Sequence, residues 1–368
     1  MNRAKALFLE LLSAALWERL AIPQLFDRVE SNLWQQVCEL AIEQKVVALI
    51  YDGIMTLPSE LLPEKKILFK LHLQTESIEK ANNRINNVLK KLSEEYEKLG
   101  CPFVLLKGQA NASFYPNPVH RTTGDIDAFL YINGDYQKAN DWARSKGLVM
   151  DAENIHHQSF KYEGVLIENH KWASFFGIRK YDKLLKYKVN EISANNSFLK
   201  IYIDGVEVQV LPHEFNAFFI FQHIFHHFIH LGIGIRQLCD WVLFLDRNSS
   251  LIAKDYFLRL VNEFDLLYAM QIFASVAVKY IGANPAIFPF EIDTNDENVD
   301  MVMDDIFSGG SFGYAIFQDK RFRSSLHRKW YSFMYTNKRL RKIHKIAPSH
   351  TANLPLIKVM TNIKLLFK

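Results

Sequence analysis

The sequence runs Phe103-Val-Leu-Leu-Lys-Gly108 and, a short interval later, Arg121-Thr-Thr-Gly124-Asp125-Ile-Asp127-Ala-Phe-Leu-Tyr-Ile132. The first run predicts an apolar strand that ends in a glycine turn, and the second predicts a strand that opens with two alternate aspartates. Because side chains two apart leave the same face of a strand, Asp125 and Asp127 are predicted to point together into one pocket. Two carboxylates beside a glycine turn suit Mg²⁺ and the phosphates that it carries. The pattern therefore indicates phosphoryl or nucleotidyl transfer.

Three features around the aspartates strengthen this interpretation. Lys107 and Gly108 close the first strand just before a predicted helix start, where backbone N–H groups can cradle a phosphate. Arg121 offers a bidentate phosphate donor four residues before Asp125. Gly124 leaves room for the backbone to approach a ligand. Together they predict that the pocket binds a phosphate-bearing molecule.

A third acidic residue lies on another predicted strand, Val165-Leu-Ile-Glu168-Asn-His170. An acid among apolar neighbours is costly to bury unless it is paired or bound to a metal. Three carboxylates on adjacent strands would allow a two-metal arrangement, and Glu168 could also act as the general base. His170, on the same face as Glu168, is predicted to face the cleft. The alternative is that these acids have structural roles only. Asp125 would then cap a turn, Asp127 would pair with Arg121, and Glu168 would lie at a solvated edge.

The organisation of the 368 residues predicts an α+β protein. Hydrophobic residues make up 49% of the chain and charged residues 23%, as in ordinary globular proteins. Helical periodicity dominates residues 1–100, including an amphipathic helix over 81–99 that stops at Gly100. Short β-rich runs separated by helices fill 101–211, and helices resume over 212–368. The expected architecture is a small α/β core with a mixed sheet, flanked by N-terminal and C-terminal helical regions.

The remaining bulk properties concern location and partners. Three scattered cysteines fit a reducing cytoplasm. No run of about 18 uncharged apolar residues exists, so no transmembrane helix is expected.

The C-terminal tail is strongly basic. From Asp319 to the end there are thirteen lysines and arginines and one acidic residue, so this tail carries +12 and the rest of the chain −8. Such a tail can hold nucleic acid or an acidic membrane surface, and the amphipathic stretch from Leu354 could dock on the body of the protein or on lipid. A solvated helical face is the favoured interpretation.

The Leu-Lys-Gly run, the later Tyr-Pro, the Arg-x-x-Gly-Asp-Ile-Asp motif and the Ile-Glu-x-His strand resemble the uncharacterised bacterial nucleotidyltransferases of the polymerase-β superfamily. The resemblance implies that Gly108 is the loop glycine, that Asp125 and Asp127 are paired metal ligands, and that Glu168 is the third acid. Gln109 stands where the superfamily often has a serine that contacts phosphate. The interval from Gly108 to Asp125 is longer than the common form.

A histidine-rich helix follows, with His223, His226, His227 and His230 in one segment. Three of them, His223, His227 and His230, lie at positions i, i+4 and i+7 and therefore share a helix face. The run Gly232-Ile-Gly-Ile-Arg-Gln-Leu-Cys-Asp-Trp241 after it is also similar to this family. The favoured interpretation is that four side chains of this segment face the active cleft and contact nucleotide phosphates or the acceptor: His227, His230, Arg236 and Asp240. The alternatives are a packed core helix with hydrogen-bonded histidines, or a transition-metal site at an i, i+4 pair.

The sequence thus predicts a cytoplasmic, Mg²⁺-dependent nucleotidyltransferase that moves an NMP from an NTP to an unidentified acceptor, with Mn²⁺ as the alternative ion. The catalytic and metal-binding residues are predicted to be Asp125, Asp127 and Glu168. The predicted nucleotide-binding residues are Lys107, Gly108, Gln109, Arg121, Gly124, His170, His227, His230, Arg236 and Asp240. The alternative is a non-catalytic binding protein with the same fold. Nucleic-acid modification is not favoured, because the tail lacks a recognisable aromatic nucleic-acid-binding motif.

Overall fold

The computed structural model of the chain describes residues 2–152, 154, 156–309 and 324–352. The chain divides into two compact units, Met1–Ile220 and Phe221–Lys368. The first unit therefore includes both the N-terminal helices and the β-rich region. The three-part division at residues 100 and 211 remains a prediction about sequence organisation.

The described residues of the first unit form one six-stranded mixed sheet, with strands β1 Val104–Leu105, β2 Asp125–Phe129, β3 His157–Tyr162, β4 Val165–His170, β5 Leu199–Ile203 and β6 Val206–Val210. Their order across the sheet is β3-β4-β2-β1-β6-β5. β2 runs antiparallel to its neighbour β1 and parallel to its other neighbour β4. β1 also runs parallel to β6, and β3–β4 and β5–β6 are antiparallel pairs. All six strands lie within the predicted β-rich region.

The helices of the first unit include α4 Lys65–Lys98, a helix of 34 residues that contains the amphipathic helix predicted over 81–99 but begins earlier, at Lys65. Its apolar face buries Ile85, Val88, Leu89, Leu92 and Tyr96. α4 ends just before Gly100, which takes a φ of 63°, as a C-terminal glycine does. The helix bounds are α1 Arg3–Leu16, α2 Ser31–Glu43, α3 Val47–Met55, α4 Lys65–Lys98, α5 Gln109–Ala112, α6 Asp135–Ser145 and α7 Arg179–Ala194. An eighth helix, α8 His213–His230, crosses the boundary between the units.

The two faces of β2 have different roles. Ile126, Ala128 and Leu130 belong to the same hydrophobic core as the buried face of α4 and the apolar side of α6. Because side chains alternate along a strand, Asp125 and Asp127 leave the opposite face. The core thus holds β2 from one side and fixes the direction of its carboxylates on the other.

The described residues of the second unit are helical. They include α9 Ile235–Asn248, α10 Lys254–Glu263, α11 Leu267–Ile281, α12 Glu297–Gly309, α13 Ser325–Ile343 and α14 Pro348–Thr351. Within the described ranges, no single helix has the length and apolar character to cross a membrane, and only the sharply bent pair α10–α11 meets that test when taken together.

The described part of the basic tail contributes to the packing of the second unit. The buried guanidinium of Arg339 pairs with Asp305 at 2.5 Å and donates to the carbonyl oxygen of Phe228 at 2.8 Å. Lys345 pairs with Glu297 at 2.7 Å, a contact between exposed side chains. At least two of the tail's cations therefore have intramolecular partners. The amphipathic stretch from Leu354 lies outside the described residues.

One buried hydrogen-bond chain ties α4 to the sheet and gives a test of the fold. The Tyr96 hydroxyl donates to Asn169 Oδ1 at 2.8 Å, and Asn169 Nδ2 donates to Asn140 Oδ1 at 2.9 Å. Tyr96→Phe should lower the free energy of unfolding by about 1–2 kcal/mol, because it leaves a buried amide oxygen without its donor. Urea denaturation measures this. Tyr187→Phe, at a side chain that is 63% exposed, is the control and should change stability by less than about 0.5 kcal/mol. Equal stabilities of the two variants would contradict this account.

Candidate active site

Three carboxylates meet on the face of β2 opposite the hydrophobic core, because of the register between β2 and β4. The parallel pairing sets Asp127 directly opposite Glu168, and Asp125 lies two residues earlier on the same face of β2. One carboxylate oxygen from each of Asp125, Asp127 and Glu168 lies within 4.8 Å of the others. The predicted convergence of these three acids is therefore present in the structure.

Asp127 is the buried centre of this cluster, with a side chain only 1% exposed. Its Oδ1 accepts from Lys107 Nζ and from His170 Nε2, each at 3.0 Å. Lys107 reaches it because the residue before it, Leu106, donates its backbone N–H to the Asp127 carbonyl at 3.2 Å. Asp127 Oδ2 is buried and has no hydrogen-bond partner among the described residues. One oxygen thus anchors the local ion pairs, and the other remains for a ligand.

The two aspartates titrate in opposite directions. Repulsion by Asp127, together with burial, raises the pKa of Asp125 to about 6. Burial also opposes ionisation of Asp127, but Lys107 and His170 outweigh it and hold the pKa of Asp127 well below its usual range. At neutral pH, Asp127 is therefore firmly ionised, whereas Asp125 carries a charge that the folded protein tolerates poorly.

The neighbouring residues respond to the same charges. Burial opposes protonation of His170, but its hydrogen bonds to Asp127 and Glu168 raise its pKa above the ordinary value. The distance from His170 Nε2 to Glu168 Oε2 is 3.3 Å. Burial likewise opposes the charge of Glu168, and the contact with His170 more than offsets it, so the pKa of Glu168 is lowered. His170, which was predicted to face the cleft, lies beside the acids, and its role in nucleotide binding stays a prediction.

The glycine turn packs against the start of β2. Gly108 has a φ of 58°, and a Cβ added there would lie 3.0 Å from the backbone oxygen of Asp125. Only glycine fits both the backbone conformation and this close approach. A Cβ at Gly124 would meet open space, so this position borders the accessible side of the site. Gln109 buries its side chain and donates to Asn86 of α4, and its predicted phosphate contact stays a prediction.

Arg121 is held in place by contacts that sequence reasoning missed. It is buried, donates to Thr123 Oγ1 at 2.9 Å, and lowers the pKa of Asp125 electrostatically. Asn82 of α4 donates to the carbonyl oxygen of Arg121 at 2.9 Å. The neighbouring His120 lies between Asp52 at 2.7 Å and Glu79 at 2.8 Å. No local motif identifies Asn82 or His120, because their partners are remote in sequence.

His157 is a second residue that sequence reasoning missed. Antiparallel pairing of β3 with β4 sets it opposite His170, and its Nε2 lies 3.8 Å from Glu168 Oε1. His157, Glu168 and His170 each offer one ligand atom within 4.8 Å of the others. Burial lowers the pKa of His157 and favours the neutral, metal-binding imidazole. The only signal in the sequence was the position of His157 at the start of an alternating strand.

The predicted residues of the histidine helix lie in the second unit. His227 and His230 belong to α8, where the ring centroids of His223 and His227 are 4.5 Å apart. Arg236 Nη1 and Asp240 Oδ2, one turn apart on α9, are separated by 3.6 Å. In the part of the chain that the structure describes, none of these residues joins a group of three possible metal ligands. Their predicted role at the active cleft stays a prediction.

The three carboxylates fit a divalent cation. They offer only oxygen atoms, which Mg²⁺ and Mn²⁺ prefer. The buried and unpartnered Asp127 Oδ2 is the atom that a cation would satisfy. An unpartnered buried carboxylate oxygen is costly in the free protein, which supports a role in ligand binding.

The opposite shifts of the two aspartates predict opposite stability effects. Since Asp125 has a pKa of about 6 in place of the ordinary 3.8, its ionisation destabilises the folded state as the pH rises through 6. In metal-free buffer at pH 8, Asp125→Asn should therefore raise the free energy of unfolding, on the order of 1–3 kcal/mol. That gain should shrink as the pH falls from 6 towards 4, because Asp125 takes up its proton in the folded protein while it is still ionised in the unfolded chain. It should vanish below pH 3.8, where both states are protonated.

Asp127→Asn is the matched comparison. It should lower the free energy of unfolding at pH 8, on the order of 3 kcal/mol, because Lys107 and His170 lose their buried counter-charge. Denaturant titrations of both variants, with EDTA present, measure the two signs. Destabilisation of similar size in both variants would contradict the assigned charge distribution.

Comparisons with known proteins bear on this site. No curated protein matches the chain. The crystal structure of an antigenic nucleotidyltransferase-like protein from Paracoccidioides brasiliensis matches with a TM-score of 0.34 and 14% identity, covering 56% of this chain and 97% of that chain. A family model described as "Uncharacterised nucleotidyltransferase" matches residues 30–282, more than half of the chain and all three carboxylates. The protein therefore belongs to this uncharacterised nucleotidyltransferase family.

Proposed function

We propose that the protein transfers the NMP group of an NTP to a hydroxyl-bearing acceptor. The observation that carries this proposal is the meeting of Asp125, Asp127 and Glu168 within 4.8 Å, with a buried Asp127 oxygen left unpartnered. The acceptor oxygen would form a bond to the α-phosphorus and lose its proton to solvent. Pyrophosphate would leave with the electron pair of the broken P–O bond.

The metal ligands would be Asp125, Asp127 and Glu168. When bound there, Mg²⁺ would neutralise phosphate charge and make the acceptor hydroxyl easier to deprotonate. The lowered pKa of Glu168 supports a ligand role over the general-base role that the sequence left open, because a weakly basic carboxylate is a poor proton acceptor.

Lys107 and His170 would act as positioning residues. Both donate to the same oxygen of Asp127 and so aim its other oxygen away from them. Burial opposes the charge of Lys107, but Asp127 and Asp125 raise its pKa, so the ammonium persists at neutral pH. This cation would also stabilise negative charge that develops on the phosphates.

The glycine turn and Arg121 would face the leaving group. Gly108 brings the backbone of the turn against the first residue of β2, and Gly124 borders open space beside the acids. Arg121 is close enough to lower the pKa of Asp125. We infer that the pyrophosphate end of the nucleotide lies on this side of the carboxylates, with the acceptor on the other.

A second function has one observation in its favour. Asp127 Oδ1 already accepts hydrogen bonds from Lys107 and His170, as expected of a site that no longer binds a metal. A non-catalytic nucleotidyltransferase-fold protein would keep these ion pairs and use the cleft for binding alone.

Asp125→Asn tests the proposal without the risk of unfolding, because it is expected to stabilise the protein. Purified wild type and variant are incubated with each labelled NTP, Mg²⁺ and cell extract as the acceptor source. Pyrophosphate release by the variant should fall at least about 100-fold, since it loses one charged metal ligand. Glu207→Gln, which removes an exposed strand carboxylate from β6, is the matched control and should keep full activity.

Two results would count against the enzyme. Equal pyrophosphate release by the wild type and Asp125→Asn would place the activity elsewhere. Release by neither, together with Mg²⁺-independent ligand binding by both, would favour the non-catalytic alternative.

A further inference from the structure

A cavity of about 840 Å³ lies entirely within the first unit and is lined from Phe129, the last residue of β2, onwards along the chain. Phe129 and Tyr131 of its lining continue the face of β2 that carries Asp125 and Asp127. Two residues along a strand advance about 6.6 Å, so the cavity begins one such step beyond Asp127. Volumes of about 300–1,000 Å³ are typical of small-molecule sites.

The wall of the cavity is also connected to the site through aromatic rings. The Phe175 ring, in the lining, lies 4.5 Å from the His156 ring, measured between centroids. The His156 ring lies 6.3 Å from that of His170, which contacts Asp127 and Glu168. The rings of Phe175, His156 and His170 therefore link the cavity wall to the carboxylate cluster.

The position of the cavity along β2 indicates that it binds the acceptor and not the nucleotide. In an in-line displacement at phosphorus, the attacking and leaving oxygens lie on opposite sides. The proposed function places the leaving pyrophosphate near Gly108 and Arg121, at the end of β2 where Asp125 lies. The lining of the cavity includes Phe129, at the other end of β2, which places the cavity on the side of the attacking oxygen.

The lining combines cations with flat apolar surfaces. Arg179, Lys183 and Lys186 of α7 line it, and no carboxylate pairs with any of the three within the described ranges. Asp182 also lines the cavity, but its carboxylate accepts backbone hydrogen bonds from Phe176, Gly177 and Ile178. The local charge is therefore positive, which suits an anionic ligand.

Aromatic side chains supply the apolar part of the site. The ammonium groups of Lys171 and Lys186 lie over the rings of Tyr136 and Trp172, at 5.5 Å and 5.7 Å from the centroids. Trp172 is 41% exposed although it is large and apolar. A ring-bearing ligand could stack on such a surface while its anionic group meets the lysines.

On the basis of the proposed function, we infer that this cavity binds the acceptor. The acceptor would be a small molecule with an anionic group on an aromatic or apolar ring body. Its hydroxyl would project towards the carboxylates, form the new bond to the α-phosphorus and lose its proton to water. Pyrophosphate would depart on the opposite side with the electrons of the broken bond.

The test uses 1-naphthyl phosphate, an aromatic phosphate with intrinsic fluorescence, and the full chain. Lys183→Ala/Lys186→Ala should weaken its binding at least about tenfold, because both cations line the cavity. Lys65→Ala/Lys66→Ala removes the same charge from two exposed positions at the start of α4 and should change binding less than about twofold. Inorganic phosphate and the uncharged 1-naphthol should each bind at least about tenfold more weakly than the probe.

A second arm adds a saturating non-hydrolysable NTP with Mg²⁺. The probe should still bind, within about twofold of its affinity without nucleotide, because acceptor and nucleotide occupy opposite sides of the carboxylates. Displacement of the probe by the nucleotide would overturn the inference and assign the cavity to the NTP itself. Equal weakening by the two lysine pairs would also overturn it, since bulk charge alone would then explain binding.

Failure of the proposed function has a different signature. Wild type that binds no NTP with Mg²⁺ would contradict nucleotidyl transfer directly, and the acceptor assignment would fall with it whatever the probe does. Intact NTP binding combined with loss of the probe results described above would contradict only the acceptor site.

Discussion

The position of Asp127 on β2, between the neighbouring strands β1 and β4, constrains the rest of the site. β2 carries this residue at the middle of the sheet, and its backbone is held by β1 on one side and β4 on the other. Lys107, two residues after β1, and His170, the last residue of β4, then meet on one oxygen. Because each strand contributes one partner, the local charge balance depends on the register of the central sheet.

This arrangement stores an electrostatic cost in the free protein. Asp125 and Glu168 add negative charge beside Asp127, and the raised pKa of Asp125 reflects the repulsion. A protein selected only for stability would not keep three carboxylates so close together. Binding of a divalent cation would remove the repulsion, so the same feature that destabilises the folded chain would provide affinity for the metal.

Part of this could be predicted from the sequence because it is local. Alternation places Asp125 and Asp127 on one face, and the apolar periodicity of α4 identifies its buried side. The contacts of Asp127 could not be predicted in this way. The sequence interpretation left open a pairing with Arg121, whereas the structure provides Lys107 and His170 as partners. Which strands become neighbours is a non-local property, and a one-residue change of register would separate these groups.

The residues that were missed follow the same rule. His157 enters the site only because β3 pairs with β4, and Asn82 reaches the Arg121 carbonyl from a helix far away in the chain. The cavity beside Phe129 is formed by segments whose side chains carry no motif. Its cations on α7 are typical of a solvated helix face when they are considered in isolation.

The central claim is that the carboxylates of Asp125, Asp127 and Glu168 hold a divalent cation. Anomalous diffraction from crystals soaked with Mn²⁺ and a non-hydrolysable NTP tests it most directly. We expect a manganese peak within about 2.0–2.4 Å of Asp127 Oδ2 and of an Asp125 oxygen, with nucleotide phosphate oxygens completing the coordination. A bound nucleotide without manganese at these oxygens, or manganese held only by His157 and His170, would contradict the account.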